Sequence, residues 1–247
     1  MKPRIVAVSQ GRLSSTRLPE KIIQKVGGIS YVETHLARVK KSKYIDQVIL
    51  AIANDLGSEK IIQSINDRKN LLFSFGSVDN VLDRYYSTVK GLDPDYVVRV
   101  TTDCPLIDPE IIDKVIKYAL DNDFDYVSNA LEPTFPDGMD IEIFKMNVLE
   151  TAWRKATDKK DLEHVTPYIW KNFFETPYEN WKIGSYKQNL DLSGLRLTLD
   201  YKEDAELIEH LIKELGQNCR MQDCVEFLNH HPEIRKINSR YARNEGY

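Results

Sequence analysis

Short β-branched runs recur along the first half of the chain, each followed by a longer segment whose apolar residues repeat with helical period. Segments 5–8, 48–52, 71–75 and 96–100 read as strands. Residues 29–40 read as a helix, with Ile29, Val32, Leu36 and Val39 at helical spacing. Segments 58–67 and 80–90 follow the same pattern, the second with Val81, Leu82, Tyr85 and Val89 inward. A further helix carries explicit punctuation: Asp108 as its cap, Pro109 at the first helical position and Glu110 at the positive end of the dipole. Parallel strands need crossover connections, so this alternation predicts an α/β chain with a mostly parallel sheet covered on both faces.

From residue 126 the pattern loosens. Segments 126–129, 140–144, 182–186 and 195–199 read as strands. Segments 147–157, 161–174, 203–215 and 222–229 read as helices. The tail from His231 is polar, with Arg235, Lys236, Arg240 and Arg243. No linker composition interrupts the chain, which predicts one domain over residues 1–247 with a small accessory lobe for substrate or dimer contact near 130–190.

Composition removes several classes of function. Lys and Arg number 34 against 38 Asp and Glu, a net charge of -4, which argues against sequence-independent nucleic-acid binding. The longest apolar runs, such as 48–53, have strand length, which argues against a membrane span. Residues 1–8 lack the apolar core of a secretory signal, and 3 cysteines are too few for a disulfide scaffold. The expectation is a cytoplasmic globular protein with neither nucleic acid nor membrane as partner.

Chemistry-bearing residues gather where strands end. After the first strand come Gln10, Gly11, Arg12, Ser14, Ser15, Thr16, Arg17 and Lys21. Backbone N–H groups, hydroxyls and cations at the carboxyl end of a strand suit a polyphosphate. The glycine spacing matches neither a Walker A loop nor a dinucleotide fingerprint, and a solvated basic loop is the plain alternative. Thr102 and Asp103 directly follow the strand 96–100. A carboxylate there is placed to hold Mg2+, or is simply a turn aspartate ahead of Pro105. Asp200 ends the segment 195–199 and also stands where it can cap the next helix. As a pair, Asp103 and Asp200 can clamp one Mg2+ between nucleotide and acceptor.

Asp140 and Glu142 alternate with Ile141 and Ile143 and are expected to share a strand face, with Asp137 just upstream. With Glu163 and His164 they suit an acceptor: carboxylates for hydroxyls, the imidazole for binding or moving a proton. An exposed strand face and a helix-start histidine are the alternative. Cys219, Cys224, His230 and His231 fit zinc spacing only loosely.

Taken in order, segments 10–21, 80–86, 98–109, 135–142, 163–167 and 197–200 resemble the cytidylyltransferase family that activates sugars for surface polysaccharides. Within it they look most like the spore coat polysaccharide biosynthesis (SpsF) group, related to the CMP-Kdo and CMP-acylneuraminate synthetases. The resemblance implies a Rossmann-like nucleotide-diphospho-sugar transferase fold, CTP as the nucleotide, and a homodimer. It implies that Arg12, Arg17 and Lys21 hold the triphosphate, that Asp103 and Asp200 bind Mg2+, and that Gly76, Ser77 and Asp79 lie near the base. Arg12, Arg17, Lys21 and Asp103 are the expected catalytic residues. Two positions depart from the family pattern: Glu20 replaces a usual glycine, and Leu162 a usual arginine ahead of Glu163.

The expected reaction is transfer of CMP from CTP to a sugar acid, sugar phosphate or polyol phosphate, with release of pyrophosphate. One rival is a glycosyltransferase of similar fold using a nucleotide sugar, normally marked by Asp-x-Asp after a strand. Here Asp93 and Asp95 precede a strand, and Asp121, Asp123 and Asp125 stand at a helix end. The other rival is a non-catalytic nucleotide-binding subunit, which has little need of both Asp103 and Asp200.

Overall fold

In the computed structural model, which describes residues 2–69 and 71–243, the β-branched runs of the first half lie side by side in one sheet. The chain runs through β1 (Ile5–Gly11), a short antiparallel pair β2 (Lys25–Val26) and β3 (Ile29–Ser30), α1 (Tyr31–Val39), β4 (Gln47–Ala53) and α2 (Glu59–Gln63). There follow β5 (Leu72–Gly76), α3 (Val81–Val89), β6 (Tyr96–Thr101), α4 (Pro109–Asp121), β7 (Tyr126–Ser128) and β8 (Glu142–Lys145). The last elements are α5 (Met146–Lys155), α6 (Lys159–His164), α7 (Pro167–Phe174), β9 (Ile183–Ser185), α8 (Lys202–Leu215), α9 (Met221–His230) and α10 (Pro232–Arg235).

The strand order is β5-β4-β1-β6-β8-β7-β9, and β8 alone runs against its neighbours. This is the expected mixed, mostly parallel sheet between helices. Alternate residues of β1 feed opposite cores. Ile5 and Ala7 pack with α1, α4 and α8, whereas Val6 and Val8 pack with α3, α5 and α7. A strand buried on both faces must be apolar throughout, which is why β1 and β4 show no polar alternation. Residues 130–190 place β8 between β6 and β7, and β9 at the edge of the same sheet. Among the described residues no helix is long and apolar enough to cross a membrane.

From β1 the chain steps outward through β4 and β5, then crosses back to lay β6 on the other side of β1. Loops leaving β1 and β6 therefore diverge, and a crevice opens at their carboxyl ends.

Three expected elements differ, each for a local reason. The helix 29–40 begins only at Tyr31: Ile29 pairs in β3, and the Ser30 hydroxyl accepts the Glu33 N–H as cap. The helix 161–174 is two helices, α6 and α7. Val165 between them has φ 72, and the Thr166 N–H donates to His164 O at 2.8 Å. Pro167, which has no N–H to continue a helix, opens α7. Segment 195–199 is extended, but it forms a single bridge, Arg196 to Asp137, instead of a strand. Its amides serve two loops, Leu197 N–H donating to Asp137 O and Leu199 N–H to Asp103 O, both at 2.7 Å.

Candidate active site

The loop after β1 is pinned by its apolar residues. Leu13 and Ile22 are buried in the core, and the Leu13 and Ser14 amides donate to Asp55 Oδ2 at 3.1 and 2.9 Å. Its cations are thereby held over the crevice. Lys21 is only 8% exposed, and its Nζ lies 2.7 Å from Asp200 Oδ1 and 3.4 Å from Asp103 Oδ2. Arg17 lies 2.8 Å from the same Asp200 oxygen and 5.2 Å above the Tyr201 ring. Arg12 lines the crevice, exposed and with no salt bridge among the described residues. Gln10, Gly11, Ser15, Thr16 and Thr102 complete this side; Ser14 is outside it.

Glu20, where the resemblance expects glycine, has φ 55 and ψ 19, a left-handed conformation that disfavours a β-carbon. Its carboxylate turns to Lys60 at 2.7 Å, outside the crevice lining. The departure thus loads the backbone instead of the phosphate site. Relief of that conformation is worth about 1–2 kcal/mol, and the exposed ion pair that is lost is largely screened by solvent. Glu20→Gly is therefore expected to leave stability equal or slightly raised in urea denaturation; a clear fall in the midpoint contradicts this account.

Asp103 and Asp200 meet because their backbones are stitched together. Asp103 O accepts the Leu199 N–H at 2.7 Å and the Thr198 hydroxyl at 3.2 Å. Asp200 is not the cap of α8: Asp204 Oδ2 takes the amides of Asp200 and Tyr201 at 3.0 and 2.9 Å, leaving the Asp200 carboxylate for the crevice. Burial works against the Asp103 charge, but Lys21 and the Thr101 hydroxyl outweigh it and hold its carboxyl below the usual range. α1 fixes the loop from beneath. His35 Nδ1 lies 2.9 Å from Cys104 O and Nε2 3.0 Å from Ser9 Oγ. A carbonyl only accepts, so Nδ1 carries the proton and the Ser9 hydroxyl donates to Nε2. Burial pushes His35 down to about 4, so the ring stays neutral. Arg38, also buried, donates to the carbonyls of Leu106 and Ile107.

On the far wall stand Asp137, Asp140, Glu163 and His164. Burial first, and then the Asp140 charge, push Asp137 up to about 7. Burial raises Asp140 as well, and lowers His164. Gly138 brings this wall against the segment before Asp200. With φ 98, a β-carbon there would lie 2.6 Å from Leu197 C. Arg196 ties the two walls: Nη1 lies 2.7 Å from Asp137, Nε 2.9 Å from Asp204, and Nη2 3.2 Å from Asp200.

Other expected site residues fall elsewhere. Glu142 does not share a strand face with Asp140, which precedes β8. Its carboxylate is buried against Arg99 and the Tyr126 hydroxyl, inside the sheet. Gly76, Ser77 and Asp79 do not line the crevice. Gly76 and Ser77 instead set Arg84, which does: Ser77 O accepts from Arg84 Nη1 at 3.1 Å, and a β-carbon on Gly76 would sit 2.8 Å from Arg84 Cγ. Leu162 packs into an apolar cluster away from the crevice. Cys219 and Cys224 approach to 3.7 Å, and no group of three or more His, Cys, Asp or Glu converges on a metal position among the described residues.

A switch-point crevice of about 400 Å³, with a cationic loop on one side and the Asp103 and Asp200 carboxylates facing it, suits nucleotidyl transfer. A family model described as Cytidylyltransferase matches residues 6–229. An uncharacterized protein of Methanocaldococcus jannaschii is 36% identical over 99% of this chain and 98% of its own length. The spore coat polysaccharide biosynthesis protein SpsF of Bacillus subtilis is 29% identical over 93% of this chain and 95% of its own. A solved cytidylyltransferase from Leptospira borgpetersenii serovar Hardjo-bovis shares the fold at a TM-score of 0.85 and 31% identity, covering 96% of this chain and 97% of that one. The chain belongs to the cytidylyltransferase family and is a nucleotidyltransferase.

Proposed function

We propose that the chain transfers CMP from CTP to a sugar acid, sugar phosphate or polyol phosphate, releasing pyrophosphate, in the synthesis of a surface polysaccharide. The observation that carries this reading is the meeting of Lys21 with both Asp103 and Asp200, beside Arg12 and Arg17, at one crevice. The likeness to SpsF supports the polysaccharide role.

In the proposed reaction an acceptor oxygen attacks the α-phosphorus in line, and negative charge grows on the phosphoryl oxygens and the departing pyrophosphate. Arg12, Arg17 and Lys21, which line the crevice, would stabilise that charge. Gln10 Oε1 and Arg84 Nε are buried at the crevice without hydrogen-bond partners among the described residues, and each offers the nucleotide a polar contact. Asp103 and Asp200, a carboxylate pair that Lys21 bridges, suit Mg2+, which typically takes one or two protein carboxylates and fills its remaining positions with water and phosphate. Asp103 and Asp200 are the residues that would hold it, and bound there it would neutralise triphosphate charge. Asp137, raised to about 7, is fitted to take a proton from a sugar hydroxyl at neutral pH. A phosphate acceptor, already ionised, needs no base.

The Asp-x-Asp triplets lie at the wrong edge for a glycosyltransferase metal site. Asp95 accepts the Arg4 amide at the amino end of β6, and Asp123 and Asp125 pair with Lys145 ahead of β7. The test is a matrix of CTP, UTP, GTP and ATP against N-acetylneuraminate, glucose 1-phosphate and glycerol 3-phosphate, with Mg2+, read by pyrophosphate release. Release with CTP and one acceptor class is expected. Binding of CTP with no turnover in any pairing rejects the proposal.

A further inference from the structure

The family match ends at residue 229, yet the chain beyond it returns to the crevice. Asn238 is buried, its Nδ2 donating to Arg196 O at 3.1 Å and Asp204 Oδ1 at 2.8 Å. The Tyr241 ring stacks on Tyr201, centroids 3.8 Å apart and planes within 1°, and its hydroxyl donates to Glu203 at 2.9 Å. Beyond these anchors, Arg243 Nη1 donates to Phe135 O at 3.0 Å, and the guanidinium pairs with Asp140. The Arg243 side chain is 13% exposed. A polar tail is ordinarily solvated and loose. This one is held by buried hydrogen bonds and a ring stack, and its last cation meets a carboxylate that lines the crevice.

Without Arg243, Asp140 has no ion-pair partner among the described residues, while the charges of Glu142 and Asp103 oppose its own even with Arg99 and Lys21 beside them. Arg196 serves Asp137, Asp200 and Asp204 and is not a partner of Asp140. A carboxylate crowded by its own kind takes up a proton or turns away, and then no longer presents fixed acceptors to a hydroxylated ligand. We propose that Arg243 is a specificity-determining positioning residue: it holds Asp140 on the crevice wall for acceptor hydroxyls, which makes segment 238–243 part of the active site. The inference rests on the transfer reading above and adds the tail to it.

The test uses full-length Arg243→Ala and Arg243→Lys. With CTP and whichever of N-acetylneuraminate, glucose 1-phosphate or glycerol 3-phosphate releases pyrophosphate, Arg243→Ala is expected to raise the acceptor KM roughly 10–100-fold, the worth of a charged hydrogen bond. The CTP KM is expected to stay within about twofold, because uniform loss of binding would be confined to one ligand. Arg243→Lys is expected to recover part of the loss. A second readout needs no turnover: in carboxyl NMR titrations the Asp140 midpoint is expected to rise by about 1–3 pH units in Arg243→Ala, through loss of the neighbouring cation. An acceptor KM like wild type, a CTP KM rising equally, or an unmoved Asp140 midpoint overturns the proposal. A matrix with no turnover at all rejects the transfer reading instead, and the titration still reports on the Arg243–Asp140 pair.

Discussion

Asp103→Asn is expected to lower turnover by roughly 10²–10³-fold, the usual scale for removing one preorganised electrostatic contact, with the fold intact. The two side chains have the same shape. The main-chain contacts that build the site, Leu199 N–H and Thr198 Oγ1 onto Asp103 O, do not involve the carboxylate. Lys21 keeps its shorter partner, Asp200 at 2.7 Å. What disappears is a charge the crevice keeps ionised: Asp103 is held below the ordinary carboxylate range against the pull of burial. A carboxyl depressed in the folded state contributes stability that is present above its unfolded value and lost as pH falls through its folded value. Any stability gap between variant and wild type should therefore show at neutral pH and close in acid. Kinetics by pyrophosphate release, with a thermal melt as control, check both parts. Wild-type-like turnover removes Asp103 from the chemistry.

Much of this architecture was written in local pattern. The strands of the first half were legible because burial on both faces leaves an unbroken apolar run, as in 48–52. Where contacts come from distant loops, local pattern was a weaker guide. Segment 195–199 looked like a strand, yet its amides bond to the loops of Asp137 and Asp103, which no short window contains. A usable signal was present there: Arg196, Thr198 and Asp200 alternate with Leu195, Leu197 and Leu199, so one face is polar and one is core. By that rule Arg196 is a site residue. Arg84 sits among the inward residues of α3, where a cation is unusual and worth a functional reading. Alternation assigns a face only within a strand, and Asp140 lies outside β8, so Glu142 does not share its face. The role of the tail was invisible for another reason: Arg243 and Asp140 are a long-range pair, and a run of polar residues looks the same solvated or docked.

Arg196→Met is expected to cost about 3–5 kcal/mol of stability, the scale for removing one partner from a buried ionic cluster. The arginine is 8% exposed and serves Asp137, Asp200 and Asp204; the Asp204 side chain has no exposure at all. Methionine fills comparable volume but leaves these carboxylates without their shared cation, and Asp137, which Arg196 draws down, then binds its proton more tightly. Asp137 already stands near 7 with Arg196 in place. A carboxyl raised in the folded state is destabilising above its unfolded value, and the penalty fades as pH falls toward that value and the group protonates. The variant should thus be weakest relative to wild type at pH 8 and recover part of its deficit at pH 5. Adding Asp204→Asn should restore a further part, because the unpaired charge goes while an oxygen remains for the amides of Asp200 and Tyr201. Urea denaturation of the three proteins at both pH values measures these differences. A loss under about 1 kcal/mol, or a deficit that deepens in acid, would mean that the carboxylates are held by their backbone contacts and that Arg196 is not the tie between the two walls of the site.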